Sequence, residues 1–321
     1  MSDLEVELVG ADAADDVLQV IRAAFAARPP LDPPATALTE TLESVTAELA
    51  TAGGLLAKVE GEPAGALLFE PAGRALALRR FGVLPKRQGS GIAGALIDAA
   101  EAHAREHGYD GLRVVARVEL PATVAFWERQ GFVRSGRDGV NLHLVRVLSR
   151  ELVLETRADT QALGERLAPR LRAGDLLILT GDLGAGKTTF TQGLGRGLHV
   201  RGDITSPTFV IARVHPSLRG GPPLVHVDAY RLGGMAELDD LDLDTSLDDA
   251  VTVVEWGEGI AEGLADERLE IELRRGLAPA GASAGASAGA SVDDDSVDHS
   301  DPRHAVLRPL GERWLGVLHD L

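Results

Sequence analysis

The chain has 321 residues, a length that is ordinary for two domains and long for one. Hydrophobic residues make up 45% of it, enough for two cores, and the lack of cysteine excludes disulfides, thiolate metal sites and cysteine nucleophiles. The net charge is −17, and residues 151–321 hold most of it, with 29 acidic against 16 basic side chains. Because an acidic domain does not attract a phosphate backbone over a broad surface, we expect any action on nucleic acid to pass through partner proteins.

The N-terminus predicts a cytoplasmic protein. The opening MSDLEVELVG carries early acidic residues and no long apolar run, so it lacks the pattern of a signal peptide. No stretch approaches the ~18 uninterrupted apolar residues that a membrane-spanning helix requires. We therefore expect no membrane segment.

The first candidate site is a glycine-rich loop between a predicted strand and a predicted helix. The run ALALRRFGV at 75–83 has the composition of a strand, and QGSGIA at 88–93 leads into a long amphipathic helix. Small residues at a helix start leave backbone N–H groups open towards a pyrophosphate. The loop therefore predicts a site for a phosphate-bearing ligand.

A second motif, ATVAFWERQGFVRSG at 122–136, follows this loop. With both motifs, residues 3–148 resemble the GCN5-related N-acetyltransferases (GNAT) in order and length. The resemblance implies a GNAT-like mixed-sheet domain over 1–149 that binds acetyl-CoA and transfers the acetyl group to a deprotonated amine. The residues that it implies for acetyl-CoA are Val83, along the pantetheine, and the loop residues Gln88, Gly89, Ser90, Gly91, Ile92 and Ala93.

Two departures from the GNAT pattern bear on activity. Many family members carry a tyrosine general acid where this chain has Trp127, whose indole N–H is not a practical acid. The strand before the loop has Arg79 and Arg80 rather than a glutamate base, and Glu119 is the nearest acidic candidate. A binding module without turnover is therefore an alternative to an active transferase, and the sequence does not indicate the acceptor.

The second candidate site is a phosphate-binding loop. A strand-like run at 174–180 leads into GDLGAGKT, which fits G-x-x-x-x-G-K-[ST] in full, and a helical stretch follows. In such a loop the glycines let successive N–H groups face the phosphates, the lysine reaches the β- and γ-phosphates, and the threonine ligates Mg²⁺. The predicted ATP-binding residues are Gly181, Asp182, Leu183, Gly184, Ala185, Gly186, Lys187, Thr188 and Thr189.

Two acidic residues at predicted strand ends are candidates for the metal side of this site. Asp228 ends the run LVHVD and Glu255 ends the run VTVVE. GTPases usually carry N-K-x-D after a late strand, and the one asparagine of this chain, Asn141, precedes the loop. ATP is therefore favoured over GTP.

Four segments stand here in the order found in the TsaE family, the bacterial ATPases of tRNA threonylcarbamoyladenosine biosynthesis: GDLGAGKTTF, TSPTF, HVDAYRL and VEWGE, between residues 181 and 258. The resemblance implies a P-loop NTPase domain with a mainly parallel sheet over 150–321. It also implies a catalytic set, a metal pair and an aromatic contact. The implied roles are Lys187 for phosphate, Thr188 and Glu255 for Mg²⁺, Asp228 for support of the metal or loop, Thr208 as a switch-like residue and Trp256 beside the nucleotide or a partner.

Members of this family act with TsaD and TsaB, and the resemblance implies that tRNA is reached through those partners. Hydrolysis itself would be in-line attack of water on the γ-phosphate. A small-molecule P-loop kinase is an alternative, although the acidic stretch at 237–249 is a poor lid for a phosphate donor. A regulatory nucleotide-binding module is another.

The last part of the chain contains a low-complexity stretch. Residues 280–291 read AGASAGASAGAS, and an acidic run follows. Such a segment cannot bury enough apolar surface to offset its ordering entropy, so 276–304 is predicted to be a disordered insertion. The tail AVLRPLGERWLGVLHDL predicts two short strands around a glycine turn.

Overall fold

The structure is a computed structural model that describes residues 3–207, 212–230, 247–276 and 302–321. The chain divides into two compact units, Met1–Leu148 and Ser149–Leu321. Among the described residues, no helix combines the length and apolar character needed to cross a membrane.

The N-terminal unit is built on a mixed sheet with the strand order β1-β2-β3-β4-β5-β7-β6. All neighbouring strands in it are antiparallel except β4 and β5, which are parallel. The strands are β1 (Leu4–Val9), β2 (Gly54–Val59), β3 (Glu62–Ala72), β4 (Ala75–Val83), β5 (Gly111–Arg117), β6 (Val133–Asp138) and β7 (Asn141–Val147). The helices are α1 (Ala14–Ala26), α2 (Leu42–Ala52), α3 (Ile92–Glu106) and α4 (Pro121–Arg129).

Helices cover both faces of this sheet because its strands alternate apolar side chains between the two sides. On one face, Leu56 and Leu68 pack with α1 and α2. On the other face, Leu67 and Phe69 pack with α3 and α4. The strand that the sequence predicts at 75–83 is confirmed as β4.

A cleft opens where β4 and β5 stop pairing. Only Ala75–Ala77 of β4 pair with Gly111–Arg113 of β5, although both strands continue further. Beyond these pairs, residues of both strands line a single cavity. Arg80 of β4 has φ of 54° at a register shift against β3, so a bulge lies beside the cleft.

The second unit contains a sheet with the order β10-β11-β12-β9-β13-β14-β8. Its four central strands, β11, β12, β9 and β13, are parallel to one another. The outer strands β10, β14 and β8 run antiparallel to their neighbours. The strands are β8 (Arg150–Leu154), β9 (Leu176–Thr180), β10 (Ala212–His215), β11 (Leu224–Asp228), β12 (Val251–Glu255), β13 (Arg268–Arg275) and β14 (Arg303–Leu310). The helices are α5 (Arg157–Leu167) and α6 (Lys187–Gly197).

The predicted strands at 224–228 and 251–255 are confirmed residue by residue as β11 and β12. Every residue of both strands is buried, as expected for central parallel strands that are covered on both faces. The strand before the P-loop starts at Leu176 rather than at 174, because Gly174 has a positive φ of 91° and turns the chain first.

The C-terminal tail differs from its prediction. It forms one strand, β14, followed by a short 3₁₀ helix at Glu312–Trp314 instead of a second strand. Trp314 is fully buried, so the end of the chain is held by core packing. Of the predicted insertion at 276–304, residues 277–301 lie outside the described residues, while Arg303 and His304 belong to β14 and pair with β13.

Candidate functional site

The P-loop connects β9 to α6 through backbone that only glycine adopts freely. Gly181 has φ of 130° and Gly186 has φ of 110°. A Cβ at Gly181 would overlap the backbone oxygen of Leu273, so a side chain is excluded there by space as well. The loop is therefore shaped by its glycines as the motif predicts, and α6 begins directly after it at Lys187.

Lys187 is buried against the loop that precedes it. Its Nζ donates to the backbone oxygens of Gly181, at 2.7 Å, and Asp182, at 3.0 Å. The same Nζ lies 3.6 Å from the centre of the Trp256 ring, within cation–π range. Burial lowers the pKa of Lys187, while the carboxylates of Glu255 and Asp228 act in the opposite direction. The lysine is thus a buried cation enclosed by carbonyls, carboxylates and an indole.

Glu255 is held by side chains from α6 and β11. Thr188 Oγ1 donates to its Oε2 at 3.0 Å, and Thr191 Oγ1 lies 3.4 Å from its Oε1. His226 Nε2 lies 2.8 Å from the same Oε1. The sequence pairs Thr188 with Glu255 as a metal set, and the structure brings these two side chains together.

Asp228 lies beside Glu255 because β11 and β12 are parallel and in register at these two residues. Its carboxylate accepts from Ser206 Oγ at 2.9 Å and from the backbone N–H of Tyr230 at 3.1 Å. Asp228 therefore ties the chain around the TSPTF segment to the strand ends. Thr208, the predicted switch-like residue, lies outside the described residues.

Trp256 follows Glu255 in an uncommon backbone conformation. Its φ is 61°, and its N–H donates to the backbone oxygen of Leu179 at 2.9 Å. A bulky residue with positive φ costs free energy, so the surrounding contacts must hold it. The Tyr230 ring, which is 64% exposed, lies 5.2 Å from the indole. The ring of Trp256 thus contacts both Lys187 and the exposed Tyr230.

Several residues of this site were not predicted as site residues. His226 and Thr191 both contact Glu255. Arg275 Nη2 donates to the Gly184 oxygen at 3.4 Å, and the Arg303 side chain lies near Gly186. A usable signal existed for two of them. His226 stands two residues before Asp228 on one strand face, and Thr191 stands one helical turn after Thr188.

The geometry fits nucleotide phosphates and a hard cation. A glycine-shaped loop at a helix N-terminus, a buried lysine and a threonine hydroxyl beside a carboxylate are the groups that such ligands need. Among the described residues, no three His, Asp or Glu side chains form a metal cluster. This does not count against Mg²⁺, which takes one or two carboxylates and completes its shell with phosphates and water.

The second site is the cleft of the N-terminal unit, which has a cavity volume of about 1380 Å³. Most predicted acetyl-CoA residues line it, namely Val83, Gln88, Gly89, Gly91, Ile92 and Ala93. Ser90 is exposed at the loop and donates to the backbone oxygen of Arg87. Gly89 and Gly91 have φ of 79° and 84°, and a Cβ at either would meet open space. The loop before α3 thus has the backbone shape that the motif predicts.

Trp127 and Glu119 are placed differently in this cleft. Trp127 is 4% exposed and makes edge contacts with Phe81, Phe126 and Phe132, so it packs as a core residue that forms part of the wall. Glu119 pairs with Arg117 at 2.7 Å, and this hydrogen bond lowers the pKa of Glu119. A carboxylate held in that way is a weak base.

Known families match both units. Residues 154–278 match the family model described as threonylcarbamoyl adenosine biosynthesis protein TsaE, and residues 18–132 match that of the acetyltransferase (GNAT) family. The Streptomyces coelicolor protein named tRNA threonylcarbamoyladenosine biosynthesis protein TsaE is 58% identical over 153 residues, which are 47% of this chain and 91% of that protein. Its Bacillus subtilis counterpart is 42% identical over 118 residues, 36% of this chain and 72% of that protein.

Among solved structures, the chain is similar to the PaiA N-acetyltransferase of Thermoplasma acidophilum in complex with coenzyme A. The match has 15% identity and a TM-score of 0.42, and it covers 46% of this chain and 99% of the other. The family models and the relatives carry the assignment: the chain belongs to the TsaE family of threonylcarbamoyl adenosine biosynthesis proteins and carries a GNAT-like domain ahead of its TsaE domain.

Proposed function

We propose that the C-terminal domain hydrolyses ATP in tRNA threonylcarbamoyladenosine synthesis, in the cytoplasm and together with TsaD and TsaB. The observation that carries the proposal is the contact between Thr188 and Glu255, at 3.0 Å, next to the buried Lys187. A hydroxyl, a carboxylate and a lysine that meet at the end of a glycine loop form the working set of a P-loop hydrolase. The TsaE names of the relatives support the pathway.

Each residue has a task that its position supports. Lys187 and the loop N–H groups bind the β- and γ-phosphates, and Thr188 with Glu255 holds Mg²⁺. Bound Mg²⁺ neutralises charge on the phosphate oxygens. Glu255 also orients the attacking water, because its carboxylate is buried and fixed by Thr188 and His226. Asp228 supports the loop through Ser206, and Trp256 packs over Lys187.

The acidic character of the domain supports action through partners rather than direct binding to tRNA. Tyr230 and Trp256 form an aromatic surface at the mouth of the site. Aromatic residues are enriched in protein interfaces. We infer that a TsaD or TsaB surface meets the ATP site here.

The test is phosphate release from ATP by the purified full chain, alone and with a TsaB–TsaD pair from the same source. We expect the pair to bind and to stimulate turnover. We expect Glu255→Gln to lower kcat by about 100-fold or more, because it removes a preorganised charge at the reacting centre. Glu151→Gln on β8 is the matched control, since Glu151 is exposed and distant from the P-loop along the sheet.

The possible outcomes separate the functions. Stimulation that Glu255→Gln abolishes and Glu151→Gln preserves supports the ATPase. If the TsaB–TsaD pair does not change the rate of ATP hydrolysis and no complex is seen on gel filtration, the assignment to the tRNA pathway is wrong. A phosphorylated small molecule in place of free phosphate identifies a kinase. ATP binding with no turnover under any condition identifies a regulatory module.

We further propose that the N-terminal domain is an N-acetyltransferase that uses acetyl-CoA. The observation that carries this is the cleft between β4 and β5, which the glycine loop before α3 also lines. Bound acetyl-CoA supplies an acyl group already activated as a thioester. The loop N–H groups at Gly89 and Gly91 hold the pyrophosphate at the helix start, and Val83 lies along the pantetheine. The match to the GNAT family model supports this assignment.

A further inference from the structure

The cavity of the N-terminal domain is cationic although the chain is strongly acidic. Six arginines and two glutamates line it among the described residues, with no lysine or aspartate, whereas the whole chain has a net charge of −17. The arginines are Arg28, Arg79, Arg80, Arg87, Arg113 and Arg117, and the glutamates are Glu70 and Glu119. A lining of this sign in an acidic protein indicates an anionic ligand.

Three of these arginines are neutralised within the protein. Arg79 pairs with Glu70 at 2.6 Å, and Arg80 pairs with Glu40. Arg117 pairs with Glu119 and also donates to the backbone oxygens of Pro33 and Asp32. Arg80 and Arg117 thereby fasten the segment between α1 and α2 to the sheet, whereas Arg79 and Glu70 pair within the sheet itself. Because carboxylates of the protein already balance their charges, these three arginines are not evidence for a bound anion.

Arg28 is different. Its Nη2 donates to the backbone oxygen of Phe81 at 3.1 Å, and its guanidinium lies 3.6 Å from the centre of the Phe25 ring. It makes no ion pair with a carboxylate of the described chain, and it is half-buried in the wall of the cavity. Burial lowers the pKa of Arg28, because the cavity wall removes water from the charged guanidinium. Such a cation is costly to keep unless an anion meets it.

Groups other than Arg28 are available to bind the phosphates of coenzyme A. The glycine loop at the start of α3 is the anion site for the pyrophosphate, and Arg87 adjoins it in the cavity wall. Arg28 instead bonds to the backbone oxygen of Phe81, which lies next to the β4 bulge beside the cleft and two residues before Val83, the residue assigned to pantetheine. It therefore lies on the acceptor side of the glycine loop along β4.

We propose that the acceptor is a small amine that also carries a carboxylate, as a free amino acid does, and that Arg28 binds this carboxylate. The inference rests on the proposed acetyltransferase function. In the reaction the amine lone pair attacks the thioester carbonyl carbon, the N–C bond forms and the C–S bond breaks. The proton lost by nitrogen balances the one that the departing sulfur gains. A cationic lining also favours the neutral amine, because positive potential lowers the pKa of a nearby ammonium group.

The test compares each common amino acid with its own carboxamide as acceptor, with acetyl-CoA and the full chain. The pair differs in the carboxylate charge and keeps the amine. For at least one amino acid we expect kcat/KM to exceed that of the amide by about 10-fold or more, since a charge-assisted contact is lost in the amide. Arg28→Gln should remove this preference while it keeps a donor for Phe81. Arg28→Lys should retain part of it, and Arg134→Gln, an exposed arginine outside the cavity, should retain all of it.

A binding measurement makes the site testable apart from turnover. N-acetyl amino acids and their amides are titrated by calorimetry into the protein saturated with coenzyme A. Tighter binding of the acids that Arg28→Gln abolishes supports the carboxylate site, even if no amine is acetylated, in which case the transferase function alone fails. Equal binding of acids and amides overturns the proposal. A preference for acids that survives Arg28→Gln overturns the role of Arg28.

Discussion

Glu255 is 2% exposed, and its position follows from three neighbours that approach from two elements. Thr188 and Thr191 come from successive turns of α6, and His226 comes from β11. Parallel strand ends and P-loop spacing predict the contact with Thr188. They place His226 on the strand face of Asp228, but this spacing alone does not separate a histidine that packs in the core from one that contacts a catalytic group.

The contact between His226 and Glu255 has one consequence for the tautomer of the ring. A carboxylate oxygen at 2.8 Å needs a donor, so Nε2 carries the proton. The other ring nitrogen, Nδ1, is buried with no partner among the described residues. The orientation of the Glu255 carboxylate therefore depends on His226.

We predict that His226→Leu lowers kcat for ATP by about 10- to 100-fold, the usual cost of removing an orienting partner. The KM for ATP should change by less than about threefold, because the phosphate contacts of Lys187 remain. His226→Gln should recover much of kcat, since its amide N–H reaches the position of Nε2. Steady-state kinetics and thermal unfolding are measured on both variants. A loss of folding in His226→Leu with full activity in the folded remainder would contradict a positioning role.

Helices α5 and α6 pack through their backbones, and this sets the direction of the P-loop helix. A Cβ at Gly193 would overlap the backbone oxygen of Gln161, and one at Gly164 would overlap the backbone oxygen of Phe190. Glycine is a poor helix former, so propensity alone argues against a helix over 187–197. The motif predicts that helix correctly, but the close approach that explains its glycines depends on a second helix and is invisible in the sequence.

The same substitution should therefore have opposite effects on two helices. Gly193→Ala should lower the free energy of unfolding by about 1–3 kcal/mol, because backbone atoms cannot move aside for the methyl group. Gly94→Ala in α3 should raise it by about 0.5–1 kcal/mol, since a Cβ there meets open space and alanine favours the helix. Urea unfolding is followed by tryptophan emission, with Trp127 in the first unit and Trp256 and Trp314 in the second. If Gly193→Ala raised the free energy of unfolding instead, α5 would have to move away from α6 to accommodate the methyl group, and the prediction would be wrong.

The cleft between β4 and β5 shows a second limit at the scale of elements. The sequence predicts β4 and the glycine loop, yet it does not show that pairing with β5 ends after Ala77. Nor does it show the bulge three residues further along β4, at Arg80, a non-glycine residue with positive φ. The prediction of two strands in the C-terminal tail is wrong for a related reason. Residues 312–314 have no distinct strand or helix pattern, and burial of Trp314 decides their conformation.

Across the whole molecule, local patterns predict what lies within one element, and packing determines the rest. The two strands that end at Asp228 and Glu255 are predicted to the residue because short, mostly apolar runs that end in a carboxylate are typical of the buried central strands of a parallel sheet. The cationic character of the cavity is not predictable from the sequence, since its arginines come from β4, β5 and the segments that follow α1 and β4. Net charge gives the opposite impression, because acidic residues elsewhere dominate it.

Buried histidines couple the stability of the fold to pH. His215 on β10 is 4% exposed, and burial lowers its pKa below the ordinary value of 6.5, while its hydrogen bond with the Arg201 oxygen acts in the opposite direction. The nearby charges of His226 and Arg213 lower the pKa further. Below about pH 6.5, His215 therefore binds a proton in the unfolded chain more readily than in the folded chain. The stability that this group contributes is complete above about pH 6.5 and is lost as the pH falls.

We predict that the free energy of unfolding of the second unit, read from Trp256 and Trp314, declines between pH 7.5 and pH 5.5. Most carboxylates stay ionised over this range, so histidines dominate the slope. His215→Asn should flatten the slope, because an asparagine keeps a donor near Nδ1 and does not titrate. His304→Gln replaces an exposed histidine on β14 and should leave the slope as it is. Urea unfolding at fixed ionic strength measures all three proteins. An equal slope in His215→Asn and the parent chain would mean that other groups control the acid sensitivity of this unit.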